Sequence, residues 1–393
     1  MSLFIRKKEE VFALTGIAKL STVGFFAGLA AALISTVWAL YLDSFFHSIA
    51  AVGFITSFLA LISFGIHFAI IPLIEKSNKA KLYASSMFFY GLMYIILIFT
   101  NKVIPLIIFA TIITILQAIR IATFGIIIKD KSKNKLTRNE GIIYTFFNIA
   151  FLVGPLVAGF IAENYSINFV FALSSFFIFL STIMFKIFSI KDAHISKKID
   201  GNPIKNFVEF FKNKNRTMAY FLSGGVNLWW SLIYVFIPLY MVREGLHDLW
   251  VGYFLFAVVI PLISLEYLFA KKIKTSGFKK MFKRGYAIVS IIAFVCFFIE
   301  NIYLLLGILV LGSVGMAMLE PTTESYFLKI LKRNEENRFY PPYNTTIDMN
   351  YFIGKLLSST IILILPFRFI FLLFALFMLI LFFLSGKIKD IRE

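Results

Sequence analysis

Twelve apolar runs, each near the length that crosses a bilayer, set the limits on what this chain can fold into. They lie near residues 18–42, 49–74, 82–100, 103–128, 141–162, 167–189, 217–242, 250–270, 284–300, 303–328, 344–365 and 368–386. A helix needs about 20 apolar residues to cross a hydrocarbon core about 30 Å thick. Inside that core every backbone N–H and C=O must be paired within the protein, so consecutive runs of this length are expected as helices. The expected fold is therefore an all-α integral membrane protein with twelve transmembrane helices.

Composition agrees. Of 393 residues, 60% are hydrophobic and only 15% are charged, with 49 Phe. A soluble domain has about 25% charged residues, so this chain cannot cover itself with polar surface. The formal net charge of +18 would suit nucleic acid, but the basic residues sit in short segments between alternate apolar runs. No nucleic-acid partner is expected; the bilayer is. With Cys296 the sole cysteine, no internal disulfide can form. No cleavable leader is expected, because the apolar stretch behind Arg6, Lys7 and Lys8 is of spanning length.

The basic residues also give an orientation. One set of connections carries Arg6/Lys7/Lys8, Lys76/Lys79/Lys81, Lys129 to Arg138, Lys186 to Arg216, Lys271 to Arg284, Lys329 to Arg338 and Lys387 to Arg392. The other set holds Lys102, Arg243 and Arg368. Positive charge stays inside, so both termini are expected in the cytoplasm, in the cell membrane. An even number of spans requires the same.

The longest polar connection, 190–216, separates a first half (1–189) from a second (217–393). Within it, Phe207 to Phe211 reads as a short amphipathic helix lying on the membrane face. The halves resemble each other at an offset of about 200 residues. Tyr41 precedes Gly53 as Tyr240 precedes Gly252. His47 and His247 fall between. Leu61-Ile62-Ser63 recurs as Leu262-Ile263-Ser264. Tyr144 and Gly154 recur as Tyr343 and Gly354. Two parallel six-helix repeats place a cavity between them near mid-membrane.

Twelve spans, this symmetry, the central loop and the basic turns after spans 2 and 8 resemble the major facilitator superfamily. The resemblance covers almost the whole chain and implies two pseudo-symmetric six-helix bundles. The family's acidic-basic-glycine-basic turn after span 2 has its counterpart in Glu75-Lys76-Ser77-Asn78-Lys79-Ala80-Lys81. Asn78 stands for the glycine, as a residue that also tolerates the left-handed conformation. Ile71 stands where a glycine is expected. The second copy keeps Gly277, Lys279 and Lys280 without an acid. In span 5, Gly154-Pro155-Leu156-Val157-Ala158-Gly159 resembles the glycine-proline motif of the family's exporters. Gly154, Pro155 and Gly159 then either kink the helix and shape the cavity, or simply pack it on its neighbours. The arginine found early in span 4 of drug antiporters has no counterpart; Arg120 lies further along.

Ionisable groups within a bilayer are costly, so they face protein or water. Here they are Arg120 in span 4, Glu320 and Glu324 in span 10, Asp348 and Lys355 in span 11 and Glu266 in span 8, with His67 in span 2 read as a packing residue. On the repeat register Arg120 matches Glu320, Asn148 matches Asp348 and Pro155 matches Lys355. Glu320 either forms a silent buried pair with Arg120 or Lys355, or it carries a proton with those cations as charge partners. Trp38 in span 1 and Asn227, Trp229 and Trp230 in span 7 are candidates for the cavity lining, with Gln117 and Asn148. Adjacent tryptophans point about 100° apart, so at most one of the pair is expected to face the cavity.

There is no phosphate-binding glycine loop, nucleophile elbow or metal-ligand spacing. The expected function is a non-enzymatic secondary transporter of a small organic solute, working by alternating access. Proton-coupled efflux is the favoured form. It would act as a monomer driven by an ion gradient, with no cofactor and no metal. An importer or facilitator of a sugar or organic anion is the nearest alternative, with Arg120 and Lys355 clamping the anion. A membrane sensor or membrane enzyme is a third.

Overall fold

The computed structural model describes residues 16–132, 136–190, 192, 202–332, 335–389 and 391. Every regular element among them is helical. The first half holds α1 (Gly16–Phe46), α2 (Ile49–Ala69), α3 (Ile71–Lys76), α4 (Lys79–Ile98), α5 (Val103–Ser132), α6 (Leu136–Asn164) and α7 (Ile167–Ile187). After the linker come α8 (Pro203–Phe211), α9 (Lys214–Ser231), α10 (Ile237–Arg243), α11 (Asp248–Ser276), α12 (Phe278–Cys296), α13 (Ile302–Ile330), α14 (Glu336–Asn344), α15 (Thr346–Ile364) and α16 (Phe369–Ser385).

Ten helical stretches among the described residues are long and apolar enough to cross a membrane. Two further spans complete the twelve. One is α16, apolar but of 17 residues, at the short end of the range that spans a bilayer. The other is α12, which starts six residues before the expected boundary because Lys279, Lys280, Lys283 and Arg284 are helical. Their side chains can reach the interface while the backbone stays paired. Large apolar side chains such as Phe58, Phe169, Phe176 and Phe383 are more than half exposed, as lipid-facing residues must be.

Proline shapes the interruptions. Pro72 sits at the start of α3, so the second span breaks at Ile70. Pro238 has no N–H to give to the Tyr234 carbonyl. The chain widens there into a π turn, Leu232–Phe236, in which the Ile237 N–H reaches Leu232 O. This re-aims the helix just beyond Trp229 and Trp230.

The sequence repeat is realised as paired helix contacts. Gly154 of α6 meets Ala32 of α1; a Cβ at Gly154 would stand 2.5 Å from the Ala32 Cβ. Its mate Gly354 of α15 meets Ser231 of α9, at 2.7 Å from Oγ. Gly159 of α6 lies against Gly252 of α11, and Gly53 of α2 against Ser359 of α15. Gly53 and Gly252 are equivalent positions about 200 residues apart, as are Gly159 and Ser359. Small residues let these backbones approach.

Two compact units interleave along the sequence. One comprises Met1–Ile34, Ala69–Gly154 and Asn168–Ser196; the other comprises Ser35–Phe68, Pro155–Ile167 and Lys197–Glu393. In the first, Ser181 Oγ donates to Val23 O at 2.9 Å and Ser175 Oγ to Gly91 O at 2.8 Å. In the second, Asp43 at the end of α1 accepts twice from Arg243 Nη2, at 2.7 and 2.8 Å. The Glu163 carboxylate lies 3.1 Å from the His247 ring.

The linker helix α8 differs from a helix lying free on the membrane. Asn202 caps it, accepting from Ile204 N at 2.9 Å, and Pro203 opens it. Phe210 is fully buried against Tyr220, Phe327 and Phe339. Phe207 packs on Phe64 and Phe68. Arg338 of α14 binds the Glu209 carboxylate and Asn206 Oδ1. Of its apolar side chains, Ile204 and Val208 are the exposed ones, beside exposed Lys205. The aromatic face therefore satisfies itself on protein, not lipid. Arg338→Ala is expected to cost about 1–3 kcal/mol, the penalty for stranding a charged partner. Faster cleavage of the 190–216 linker by a limiting protease would register the undocking of α8.

Candidate functional site

A cavity of about 220 Å³ opens within the second unit. It is lined by Ser223, Val226 and Asn227 of α9, Glu320, Thr323 and Glu324 of α13, and Tyr340, Tyr343, Asn344, Thr346 and Ile347 of α14 and α15. A larger one of about 300 Å³, between α12 and α16, is lined by apolar residues and Ser290 and carries no charge. The polar cavity is thus the candidate site.

Local chemistry places each side chain. Asn213 caps α9 through Asn215 N and Arg216 N, which sets the helix start. Glu320 precedes Pro321, which removes one rung of the α13 backbone ladder. Thr322 and Thr323 donate their hydroxyls to Met318 O and Glu320 O at this point. Trp230 Nε1 donates to Glu320 Oε1 at 2.6 Å. Tyr340 Oη donates to Glu324 Oε1 at 2.7 Å. Among the described residues no cation lies within 4 Å of either carboxylate. Glu266 of α11, Tyr234 and Tyr351 are the other ionisable groups in the field of Glu320.

The anticipated charge network takes a different form. Glu320 is held by the indole of Trp230, not by Lys355. The Lys355 ammonium lies 4.9 Å from the Tyr351 ring centroid and in the field of Asp348. The Asp348 Oδ2 atom is 3.0 Å from His67 Nδ1. That N–H is directed at Ser63 O, 2.9 Å away, so Asp348 Oδ2 accepts no hydrogen bond. His67 is therefore a polar neighbour of Asp348 and not only a packing residue. Its helix follows α15 over a distance. Gly53 meets Ser359, and Ser57 Oγ donates to Phe352 O at 2.9 Å.

Arg120 belongs to the first unit. It is 7% exposed, its guanidinium lies 5.7 Å from the Tyr90 ring, and its Nε lacks a hydrogen bond. Tyr94 Oη donates to Tyr90 Oη beside it at 2.6 Å. Gln117 and the exposed Asn148 are also in this unit and do not line the polar cavity. Trp38 lies in the second unit beside Tyr41. Of the tryptophan pair, Trp229 is fully buried against Gly312 of α13 and Trp230 addresses the site.

The basic turn is corrected in its detail. Asn78 has φ −71° and is not left-handed; it caps α4 by accepting from Lys81 N at 2.8 Å. Carboxylate for that helix start comes from Asp192, which accepts from Lys79 N at 2.7 Å. Lys79 is buried and Lys76 exposed. The Glu75 side chain lies outside the described residues, as do Tyr144's side chain, Arg6 to Lys8 and residues 193–201. In the copy, Gly277 does take a positive φ of 75°.

Sequence reasoning missed Ser223, Thr323, Tyr340 and Asn344. The repeat register did flag Tyr343. The others are small or interfacial residues whose side chains acquire meaning only where α13 meets α14.

Comparison with known proteins agrees with this architecture. The chain is 26% identical to the staphylopine export protein of Staphylococcus aureus over 262 residues, which are 63% of this chain and 65% of that relative. It is 23% identical over 356 residues to an uncharacterised MFS-type transporter of Methanocaldococcus jannaschii, covering 89% and 90% of the two chains. A solved POT family transporter in complex with a thioalcohol-conjugated peptide shares the fold at a TM-score of 0.77, with 12% identity over 95% of this chain and 96% of that one. Residues 20–299 match the Major Facilitator Superfamily, and with twelve spans in two repeats the chain belongs to that family of small-solute transporters.

Proposed function

We propose that the chain exports a small organic solute by alternating access, in exchange for protons carried by Glu320. The observation behind this reading is a carboxylate within a membrane-spanning helix, lining a cavity and held, among the described residues, only by a neutral indole N–H. A silent structural carboxylate would be expected in a tight ion pair. One that must gain and lose a proton needs a partner that tolerates both states, and Trp230 Nε1 can donate to either. Export is supported by the glycine-proline stretch in α6 and by the relative described as an export protein. An ion gradient supplies the energy. The basic loops and both termini face the cytoplasm of the cell membrane.

A second reading, an organic-anion carrier, is favoured by Arg120, whose buried Nε has no hydrogen-bond partner among the described residues. Proteoliposomes with an entrapped pH-sensitive dye separate the two. A panel of cationic, neutral and anionic solutes is added with the pH gradient imposed in either direction. Proton-coupled export predicts solute-dependent alkaline or acid shifts that reverse with the gradient. Solute flux with no dye response in either direction would remove the proton from the mechanism.

A further inference from the structure

We infer that the groove between α12 and α16, with the basic cluster at one end of it, binds an anionic membrane phospholipid. One face of α12 carries Lys280, Arg284, Ala287, Ile291 and Phe294, at the three- and four-residue spacing that lines side chains up along a helix. Lys280 and Arg284 are exposed cations; Ile291 and Phe294 are exposed apolar side chains. The α16 helix runs beside this face. Ser290 Oγ donates to Ala375 O at 2.9 Å, and Lys283 Nζ stands 5.6 Å from the Phe382 ring centroid. Where α16 ends, Gly386 lies against the Lys283 side chain, and exposed Lys387 follows. Between the two helices lies the apolar groove of about 300 Å³, with Ile291 and Phe294 on one wall and Leu376 and Leu379 on the other.

Depth matches one lipid leaflet. Ile291 lies two turns beyond Arg284 and Phe294 nearly three, about 10 and 15 Å at 1.5 Å per residue. One leaflet of a hydrocarbon core about 30 Å thick is about 15 Å deep. An acyl chain in the groove therefore brings its headgroup to the level of Lys280, Arg284 and Lys387. Charge selects that headgroup. Between Glu266 and Glu300 the chain has seven Lys or Arg and no Asp or Glu. Among the described residues none of the seven forms an ion pair. The tail beyond α16 adds Lys387, Lys389 and Arg392 against Asp390 and Glu393, so the balance stays strongly positive. A choline headgroup would carry its own cation into this cluster; a net-anionic one would not. Basic pockets between helices at a membrane face are suited to anionic headgroups for this reason.

The internal repeat shows the missing anion independently. In the first half the corresponding helix is α4, and it carries a carboxylate on its first turn. Asp192 Oδ1 accepts from Lys79 N at 2.7 Å, across 113 residues of sequence. In the second half the same separation joins Phe278 N to Ile391 O, at 3.2 Å. A neutral carbonyl thus stands where the first copy has a carboxylate. The first two turns of α12 hold Lys279, Lys280, Lys283 and Arg284 and no acid. The N-terminal end of a helix repels cations and attracts anions. The first copy supplies its own negative charge; the second must take it from outside, and a phospholipid in the groove delivers it.

The test is native mass spectrometry of the purified full-length protein in detergent, with dioleoyl phosphatidylglycerol and dioleoyl phosphatidylcholine added in equal amounts. The first lipid retained is expected to be phosphatidylglycerol by about tenfold or more, each nearby cation contributing up to about fivefold. Lys280→Gln/Arg284→Gln should reduce that excess to about twofold or less, and Lys280→Arg/Arg284→Lys should keep it. Lys212→Gln/Lys214→Gln removes the same charge from exposed lysines elsewhere in the unit and should leave the excess unchanged. Leu376→Trp, which fills the groove, should weaken retention of phosphatidylglycerol. Glycerol phosphate, the headgroup chemistry without chains, should not displace the lipid. Thermal unfolding of each variant reports whether it has folded, and all these positions are exposed, so the substitutions leave the core intact. Equal retention of the two lipids, equal losses in the two glutamine pairs, or full retention by Leu376→Trp overturns the inference. Displacement by glycerol phosphate overturns it too, because the cluster would then be a site for a soluble anion.

Discussion

Glu320→Gln is expected to fold normally and to reduce proton-driven solute flux to the level of empty liposomes. The amide oxygen can still accept from Trp230 Nε1, now 2.6 Å from Glu320 Oε1, so packing and the hydrogen bond survive. What is lost is the ability to change charge. Glu320→Ala separates this from a structural role. It strands the Trp230 N–H, at a cost of about 1–3 kcal/mol, and should lower thermal stability where the glutamine does not. Flux is measured in proteoliposomes under an imposed pH gradient, and stability by tryptophan-monitored unfolding. A glutamine variant with wild-type gradient-driven flux would assign Glu320 to structure.

Gly252→Val should be the most damaging single change to the fold outside the site. A Cβ there would lie 2.5 Å from Pro155 O and 3.1 Å from Gly159 Cα. Both neighbours are backbone and cannot rotate away. The α6 and α11 helices must part, and the overpacking penalty of about 1–3 kcal/mol for yielding side chains is a lower bound here. Even Gly252→Ala should broaden the elution profile and lower the melting temperature in detergent. Gly65→Ala and Gly125→Ala are the contrast. Nothing lies within 4 Å of a Cβ at either position, so relief of glycine's backbone entropy should leave stability unchanged or raise it by up to about 1 kcal/mol. Equal losses at all three positions would point to general helix fragility and not to the α6–α11 contact.

These contrasts show which features could be read along the chain. The membrane class, the twelve spans and the repeat follow from hydrophobic run length and spacing, which are properties of contiguous residues. Hydrocarbon leaves the backbone no alternative to helix, so run length translates directly into structure. The repeat register carries through to the contacts, since Gly154 with Ala32 and Gly354 with Ser231 occupy matching places.

Partnership was not readable in this way. Charge alone paired Glu320 with a cation, yet its neighbour is an indole, and Lys355 lies toward Asp348 and Tyr351. Helix rotation decides such pairs, and a rotation of one residue is worth only the local packing that fixes it. Asn78 shows the same limit, because a cap and a left-handed turn demand the same residue type. By itself the sequence determined the solvent this protein lives in, the number of its spans and their two-fold repeat, because these depend on apolar length. Only the tertiary structure decided that Trp230, Tyr340 and Tyr343 join Glu320 and Glu324 around one cavity, because that depends on how helices distant in sequence turn their faces to each other.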